Sequence, residues 1–348
     1  MPSLKPEFLN ALRYSNDDLA TLRRLGECRG KQQLYVKQRP QALEQLRKGA
    51  LIESTDASNR LEGITAPPDR MKALVEQTAE PQNRSEQEIA GYREALELIH
   101  QSGPDMPVTT NVIRQLHQRI YQYMPQDGGR WKSVDNKIVE KDEDGAEIRV
   151  RFEAVPAVAT PHAMEDLVVG YGRAIDDGQD SMIVIPLFVL DFLCIHPFRD
   201  GNGRVSRLLN LMLLYHAGYE VGRYISLERL FEQSSQSYYE TLEKSSQGWH
   251  QSRHDAMPWL TYCWGILVRA YGEFEQRVGK VYAGRGSKSE RVRAAIERKV
   301  VPFGIADIER EVPDVSRETV RNVLREMKKA GRVKTKGRGR GSKWELIG

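Results

Sequence analysis

Cysteine is scarce in this 348-residue chain, and no hydrophobic run is long enough to cross a membrane. The three cysteines, Cys28, Cys194 and Cys263, lack metal-ligand spacing and are too few for a disulfide framework, which predicts a reducing compartment. The most apolar stretch, residues 182–195, is shorter than a membrane span, and no basic segment precedes an apolar run at the N-terminus. These absences predict a soluble, cytoplasmic protein that does not contact a membrane.

Alternating apolar and polar residues, which mark half-buried strands, are also rare, and no internal repeat is present. Apolar residues instead recur three and four positions apart, which predicts helices over Leu43–Leu61, Glu86–Ile99, Val112–Tyr121 and Arg204–His216. The exception is a pair of β-prone runs, 137–141 and 147–152, on either side of an Asp-Gly turn at 144–145. The predicted fold class is therefore mainly α with one small β-hairpin.

Charge is spread unevenly along the chain. The net charge is a mild +4, but residues 286–348 hold 17 Lys and Arg against 9 Asp and Glu, so the remainder is slightly negative. This basic segment is a candidate for contact with a polyanion, and a solvated basic tail is the simpler alternative. Small, flexible residues at 279–288 coincide with the change of charge and predict a linker, so we expect a linker and a separate domain at 281–348.

The most informative stretch is HPFRDGNGRVSR, residues 196–207. It follows one predicted helix and begins another, so it forms a helix-loop-helix. Gly201-Asn202-Gly203 then lies at a helix N-terminus, where glycines let backbone N–H groups approach an anion closely. Arg204 and Arg207 project from the first helical turn and are expected to reach phosphate oxygens. The predicted ligand is a polyphosphate.

Two further residues of this stretch supply chemistry. Asp200 is the carboxylate beside the glycine loop, and Mg²⁺ bound to a polyphosphate takes one or two such ligands. His196, with an ordinary pKa of about 6.5, is suited to remove a proton from a hydroxyl at neutral pH. Taken singly, such residues are more often an N-cap and a structural histidine. Their coincidence with two arginines indicates transfer of a phosphorus-centred group to an alcohol.

The stretch resembles the signature of Fic-domain proteins, HPF-x-[DE]-GNGR-x-x-R, at every defined position. The resemblance implies an all-α core with a small hairpin, here at 87–280, that transfers AMP from ATP to a Ser, Thr or Tyr hydroxyl of a protein. It also implies roles for seven residues of the motif: His196 is the base, Asp200 holds Mg²⁺, Gly201, Asn202 and Gly203 form the anion nest, and Arg204 and Arg207 hold the phosphates.

A second resemblance lies upstream, where residues 58–63, SNRLEG, fit the inhibitory pattern [ST]-x-x-x-E-[GN] of a Fic subclass with an N-terminal inhibitory helix. It implies an N-terminal helical region, 1–86, that presents Glu62 to Arg207 and keeps the enzyme autoinhibited. Ser58, one turn before Glu62, is then expected to fix the Glu62 carboxylate by a hydrogen bond. A helix that merely ends at Gly63 is the simpler alternative.

The predicted hairpin resembles the flap that lies over the active site of Fic proteins. Ile138 and Val139 lie on its edge and are expected to hold a segment of the target protein as an added strand. An ordinary surface hairpin is the alternative.

The C-terminal domain has the pattern of a winged helix-turn-helix. Helices are predicted at about 289–298, 305–311 and 316–330, followed by a two-stranded wing at 333–346. Basic residues on the third helix and the wing suit the phosphates of duplex DNA. Contact with protein is nearly as well supported, because the third helix has few Asn or Gln residues to read bases.

These features together predict a protein adenylyltransferase that modifies a protein substrate and itself. One alternative is a DNA-binding transcriptional regulator whose Fic body senses nucleotide or dimerises, although an intact His196 argues against it. Another is a Fic enzyme with a different phosphoryl-type reaction, including removal of AMP. The resemblance is also compatible with a homodimer.

Overall fold

The structure, a computed structural model, describes residues 1–348 except 39, 125–127, 142–146, 286–287, 298, 300–301, 314, 337–342 and 347–348. It divides into two compact units, Met1–Glu275 and Gln276–Gly348. Both consist mainly of helices, as predicted. Among the described helices, none is long and apolar enough to cross a membrane.

Twelve α-helices lie between residues 6 and 285 among the described residues. They are α1 Pro6–Ala11, α2 Asn16–Gln38, α3 Pro40–Arg60, α4 Pro68–Val75, α5 Arg84–Ser102, α6 Thr110–Ile120, α7 Thr160–Asp176, α8 Ser181–Ile195, α9 Asn202–His216, α10 Leu227–Gln233, α11 Ser235–Ser246 and α12 Met257–Arg285. The central helix is α8, which packs against α7, α9 and α11. Because nearly all side chains of α8 are apolar, the helix is stable only inside a core. The residue after it, His196, therefore has a rigid support.

Asp191 is a carboxylate that lies fully buried in α8, and the N-terminal segment supplies its hydrogen bonds. Ser3 donates to Asp191 from its backbone N–H at 3.3 Å and from its hydroxyl, and Trp249 donates from Nε1 at 2.5 Å. Ser3 Oγ also lies 2.8 Å from His254 Nε2. Since a buried carboxylate is stable only when hydrogen-bonded, this network fixes the first residues of the chain against α8.

The predicted hairpin is present as an antiparallel pair. Its strands are β1 Lys137–Lys141 and β2 Glu147–Glu153. Ile138 pairs with Phe152 and Val139 with Val150, and the register is irregular between the two pairs. The Asp144-Gly145 turn on which the prediction rested lies outside the described residues.

The second unit has the predicted order of elements. They are α13 Lys288–Glu297, α14 Ile305–Glu311, α15 Arg317–Lys329, and the antiparallel strands β3 Val333–Lys336 and β4 Lys343–Leu346. Ser316 is the N-cap of α15, and its side chain accepts a hydrogen bond from the Thr319 N–H. The apolar face of α15 is buried in a small separate core with Ile296 and Ile308. The assignment as a winged helix-turn-helix stays a prediction.

The linker predicted at 279–288 is wrong for its first part, because α12 continues to Arg285. Gly279 and Gly284 lower helix propensity by only about 1 kcal/mol each, which a helix of this length tolerates. The next residues, 286–287, are not among those described, and α13 begins at Lys288.

Candidate active site

The loop between α8 and α9 begins with a residue in an unusual backbone conformation. His196 caps α8 with φ 51° and ψ 61°, in the left-handed region, and its N–H donates to the Phe192 carbonyl at 2.9 Å. A non-glycine residue in this region costs about 1–3 kcal/mol and persists only where its surroundings enforce it. The surroundings of His196 therefore fix the direction of its side chain at a cost in folding stability.

The His196 ring has a defined tautomer. Its Nδ1 lies 3.3 Å from the Leu193 carbonyl, which only accepts, so Nδ1 carries the proton and Nε2 keeps its lone pair. Burial lowers the pKa of His196 to about 4, and the nearby Lys132 ammonium acts in the same direction. The imidazole is neutral at physiological pH, with Nε2 free to accept a proton.

Phe198 anchors the loop. Its ring is fully buried, stacked on His117 at a centroid distance of 3.8 Å and close to Trp131 at 5.0 Å. The Asn202 side chain closes the loop, because its Oδ1 accepts from the Phe198 N–H at 2.9 Å and its Nδ2 donates to the Phe198 carbonyl at 2.8 Å. The Asn202 amide therefore shapes the loop, and only its backbone N–H remains for an anion.

Two glycines are required at the start of α9 for different reasons. Gly201 has φ 77°, and a Cβ there would meet the Tyr121 ring at 3.1 Å. A Cβ on Gly203 would lie 2.2 Å from the Glu62 Oε1 atom. A carboxylate oxygen thus lies against the first turn of α9, where a helix leaves its N–H groups without intrahelical partners. The Glu62 carboxylate therefore lies beside the predicted anion nest.

Arg207 holds that carboxylate. Its Nη2 donates to Glu62 Oε1 at 2.7 Å and to the Ser58 carbonyl at 2.9 Å, and its Nε donates to Ser58 Oγ at 2.8 Å. The Arg207 side chain is 3% exposed and that of Glu62 is 28% exposed. The sequence argument expected Ser58 to bond Glu62, whereas Ser58 Oγ bonds the arginine instead. Both predicted inhibitory residues act on one guanidinium.

Arg204 differs from its predicted placement. Its guanidinium is fully buried, with Nη1 2.7 Å from Glu88 Oε2, and Nη2 donates to the Tyr121 hydroxyl at 2.7 Å. Arg204 reaches Glu88 on α5, whereas Arg207 reaches Ser58 on α3 and Glu62 just after it. Glu88 already balances the Arg204 charge, so this geometry does not support a phosphate contact by Arg204.

The Asp200 carboxylate accepts two hydrogen bonds. Tyr121 donates to Asp200 Oδ2 at 3.0 Å, and the Gly201 N–H donates to Oδ1 at 2.7 Å. Burial keeps the pKa of the Tyr121 phenol well above its usual range, so the hydroxyl stays protonated and donates. The Asp200 side chain is 65% exposed.

Over the part of the chain that the structure describes, no three His, Cys, Asp or Glu residues are grouped to hold a metal. A single oriented carboxylate fits Mg²⁺ that takes its other ligands from phosphate and water.

A cavity of about 240 Å³ joins the motif to the flap. His196, Gly203, Arg207 and Glu62 line one side. The remaining lining residues come from the flap, α8 and α11: Ile138, Arg151, Phe152, Leu190, Leu193, Cys194, Tyr238, Tyr239, Leu242, Glu243 and Ser246. Ile138 thus faces the cavity, whereas Val139 does not line it.

Sequence reasoning missed the polar residues that support the motif from a distance. Glu88 orients Arg204, and Tyr121 orients Asp200. His117 Nδ1 accepts from the Gly129 N–H at 2.9 Å, and its Nε2 donates to the Asp200 carbonyl at 3.1 Å. Helical periodicity gave a weak signal for His117, which falls on the apolar face of α6. Glu88 gave none, because a charged residue near a helix start is expected to be exposed.

Part of the chain is similar to proteins that share one family name. Residues 107–214 match the Fic/DOC family. The chain is 27% identical over 217 residues to "Protein adenylyltransferase Fic" of Nematostella vectensis, a match that covers 58% of this chain and 44% of that protein. It is 27% identical over 190 residues to the protein of the same name from Drosophila erecta, covering 51% and 35%. The matches thus span less than half the length of these relatives.

A solved structure shares the fold. A Fic family protein from Desulfovibrio desulfuricans G20 superposes with a TM-score of 0.64 at 20% identity, over 97% of this chain and 98% of that one.

Proposed function

Because the chain is a Fic-domain protein, we propose that it transfers AMP from ATP to a Ser, Thr or Tyr hydroxyl of a protein. The observation that carries the proposal is the cavity in which His196, Gly203 and Arg207 lie together beneath the flap. A base, an anion nest and a buried cation in one cavity are the parts that transfer of a phosphorus-centred group requires.

His196 is the base in this reaction. Its Nε2 accepts the hydroxyl proton as the hydroxyl oxygen forms a bond to the α-phosphorus of ATP. The bond from that phosphorus to the oxygen bridging to the β-phosphate breaks, so pyrophosphate leaves and the protein carries AMP as a phosphodiester. Since the imidazole is neutral at physiological pH, no proton has to be removed from it first.

Phosphate oxygens are held by Arg207 and by the backbone N–H groups of Gly201, Asn202 and Gly203. Asp200 would hold Mg²⁺, which would supply positive charge to neutralise the phosphates. Tyr121 keeps the Asp200 carboxylate turned toward the nest. Arg204 supports this arrangement from the core and is not assigned a phosphate.

Glu62 inhibits the reaction in this proposal. Its carboxylate lies where a phosphate oxygen has to lie, against Gly203 and on Arg207. ATP then binds with its γ-phosphate displaced from Arg207, and the α-phosphate is not aligned for in-line attack. The flap supplies the other partner, because Ile138 and Val139 on β1 offer an edge to which a target segment adds as a strand. Self-modification is expected where a hydroxyl of this chain reaches the cavity.

The experiment uses purified full-length protein with Mg²⁺ and ATP labelled either at the α- or at the γ-phosphate. Label from the α position is expected on protein and label from the γ position is not. The His196→Ala variant is expected to lose transfer and to bind ATP as the wild type does. Label from the γ position would indicate a different phosphoryl transfer, and loss of AMP from protein modified beforehand would indicate the reverse reaction.

A second function, binding of duplex DNA, is favoured by the exposed face of α15. Its apolar side is buried, which leaves Arg317, Arg321 and Arg325 exposed on the opposite side. Basic side chains at this spacing suit the phosphates of one groove. This proposal is independent of the reaction above, and a protein partner for the same surface is the alternative outcome.

A further inference from the structure

The segment 132–136, between the loop after α6 and strand β1, is bonded to the backbone on both sides of His196. Lys132 Nζ donates to the Ile195 carbonyl at 3.0 Å, and the Lys132 N–H donates to the Pro197 carbonyl at 2.8 Å. Asn136 Nδ2 donates to the Phe198 carbonyl at 3.1 Å. Three carbonyls that flank the base are therefore held by one short segment.

Within the segment the two side chains are bonded to each other. Lys132 Nζ donates to Asn136 Oδ1 at 2.7 Å, so the ammonium is oriented from two sides. Lys132 is 5% exposed, and burial lowers its pKa to about 8. A buried lysine is costly unless its charge has acceptors. Here the acceptor is the last carbonyl of α8, where the helix dipole is negative and the carbonyl has no helical partner.

The position of Lys132 gives it a task that stability alone does not explain. It does not line the cavity, so it is not placed to bind substrate there. It holds the residue before His196, whose left-handed conformation needs enforcement. Asn136 is followed directly by β1, so the same segment joins the flap to the base.

We propose that Lys132 and Asn136 form a clamp that positions His196 for proton removal and ties its orientation to the flap. This inference rests on the proposed function, because it assigns a positioning role for a base in AMP transfer. The clamp also places a positive charge near the imidazole, which favours its neutral form.

Other charged groups lie near His196 or line the cavity with it, and they are the same in every variant that the test compares. They are Asp200 and Arg207 from the motif, Arg151 from β2 and Glu243 from α11. Glu62, in the turn after α3, is replaced by glycine throughout. Glu62 and Asp200 favour the protonated imidazole, whereas Lys132 opposes it. Removing the Lys132 charge therefore has a defined sign: it raises the pKa of His196.

The test compares Lys132→Met, Lys132→Arg and Asn136→Ala in the Glu62→Gly background, in which transfer is expected to be unrestrained. Initial rates of transfer of α-labelled AMP are measured over a range of ATP concentrations and over a pH range that extends below the His196 pKa of about 4, together with ATP affinity and Tm. Lys132→Met is expected to lower kcat about tenfold or more, at a KM for ATP within about twofold, since one charged hydrogen bond is lost. Its acid limb is expected to move to higher pH.

Lys132→Arg keeps the charge and the donors, so it is expected to restore both the rate and the pH profile. Asn136→Ala is expected to lower kcat without moving the acid limb, because it removes no charge. Lys72→Met is the matched control, since its ammonium is 64% exposed on α4, and it is expected to leave both readouts unchanged.

Two outcomes overturn the clamp: a Lys132→Met rate equal to the background, or a lowered rate with an unshifted acid limb that Lys132→Arg does not restore. A lower Tm with the same rate per folded molecule also counts against it, because the role is then structural only. If the Glu62→Gly background itself transfers no label, the proposed function fails and not the clamp.

Discussion

Replacing Glu62 by glycine is expected to activate the protein, and the contacts of Arg207 set the size of the effect. Glu62 supplies a charge-assisted hydrogen bond at 2.7 Å to a guanidinium that is 3% exposed. Such a bond contributes about 1.5–3 kcal/mol. If that free energy opposes the productive phosphate contact, its removal raises AMP transfer by about 10- to 100-fold. The two Ser58 contacts remain in the variant and keep Arg207 oriented.

The assay is the initial rate of self-modification from α-labelled ATP with Mg²⁺. Glu62→Gln retains the shape of the side chain and removes its charge, so an intermediate increase is expected. Glu53→Gln is the matched control. Glu53 lies on α3, the helix that precedes Glu62; its side chain is 33% exposed and it pairs with Arg229 at 2.9 Å. Its rate is expected to equal that of the wild type.

Adding Arg207→Ala to Glu62→Gly is expected to cancel the gain, because the productive phosphate contact is lost as well. Wild-type activity in folded Glu62→Gly protein would refute the inhibitory role, and residues 58–63 would then be a helix end. Activation that survives Arg207→Ala would refute the competition between Glu62 and phosphate for Arg207, although not inhibition itself.

Four further outcomes are expected. Because burial lowers the pKa of His196 to about 4, the transfer rate should change less than about twofold from pH 5.5 to 8, and a half-maximal rate near pH 6.5 contradicts this. Asp200→Ala should raise the Mg²⁺ concentration needed for half-maximal transfer, and an unchanged titration removes it as the metal ligand. Val139→Pro should reduce modification of a protein target more than ATP affinity, since proline removes a strand donor; equal losses indicate misfolding. The full chain should bind duplex DNA in fluorescence anisotropy, with an affinity that falls steeply as the salt concentration rises. The double variant Arg321→Glu with Arg325→Glu should weaken this binding about tenfold or more. Absence of binding at low salt would favour a protein partner.

Local pattern was sufficient to predict most of the secondary structure. Apolar periodicity placed α5, α6 and α9 within a few residues of their observed ends, and α14 was predicted with its observed bounds. The loop at 196–201 was predicted because a proline and glycines separate two helices. Turn chemistry placed the hairpin at β1 and β2 in the same way. These features are decided by neighbours along the chain.

The polar partners across the fold were not predictable. Arg204 and Arg207 look equivalent in sequence, yet one meets Glu88 and the other Glu62. Lys132 reads as an exposed loop residue, and only the packed structure places its ammonium on the Ile195 carbonyl. Periodicity predicts which face of a helix is buried, but it does not predict which charged residue from a distant segment packs against that face. The resemblance supplied Glu62, because a motif records such long-range pairs.

The missing side chain of Gly203 constrains how the site is able to change in evolution. One methyl group at this position would collide with the Glu62 carboxylate. In the proposed reaction the same methyl group would also occupy the space of a substrate phosphate, so mutation of Gly203 is expected to exclude the nucleotide together with Glu62. Release has to come from the other side of the contact, by loss or movement of the Glu62 end of α3. We therefore expect natural variants with altered control to differ around residues 58–63, while the glycine that receives the carboxylate stays fixed.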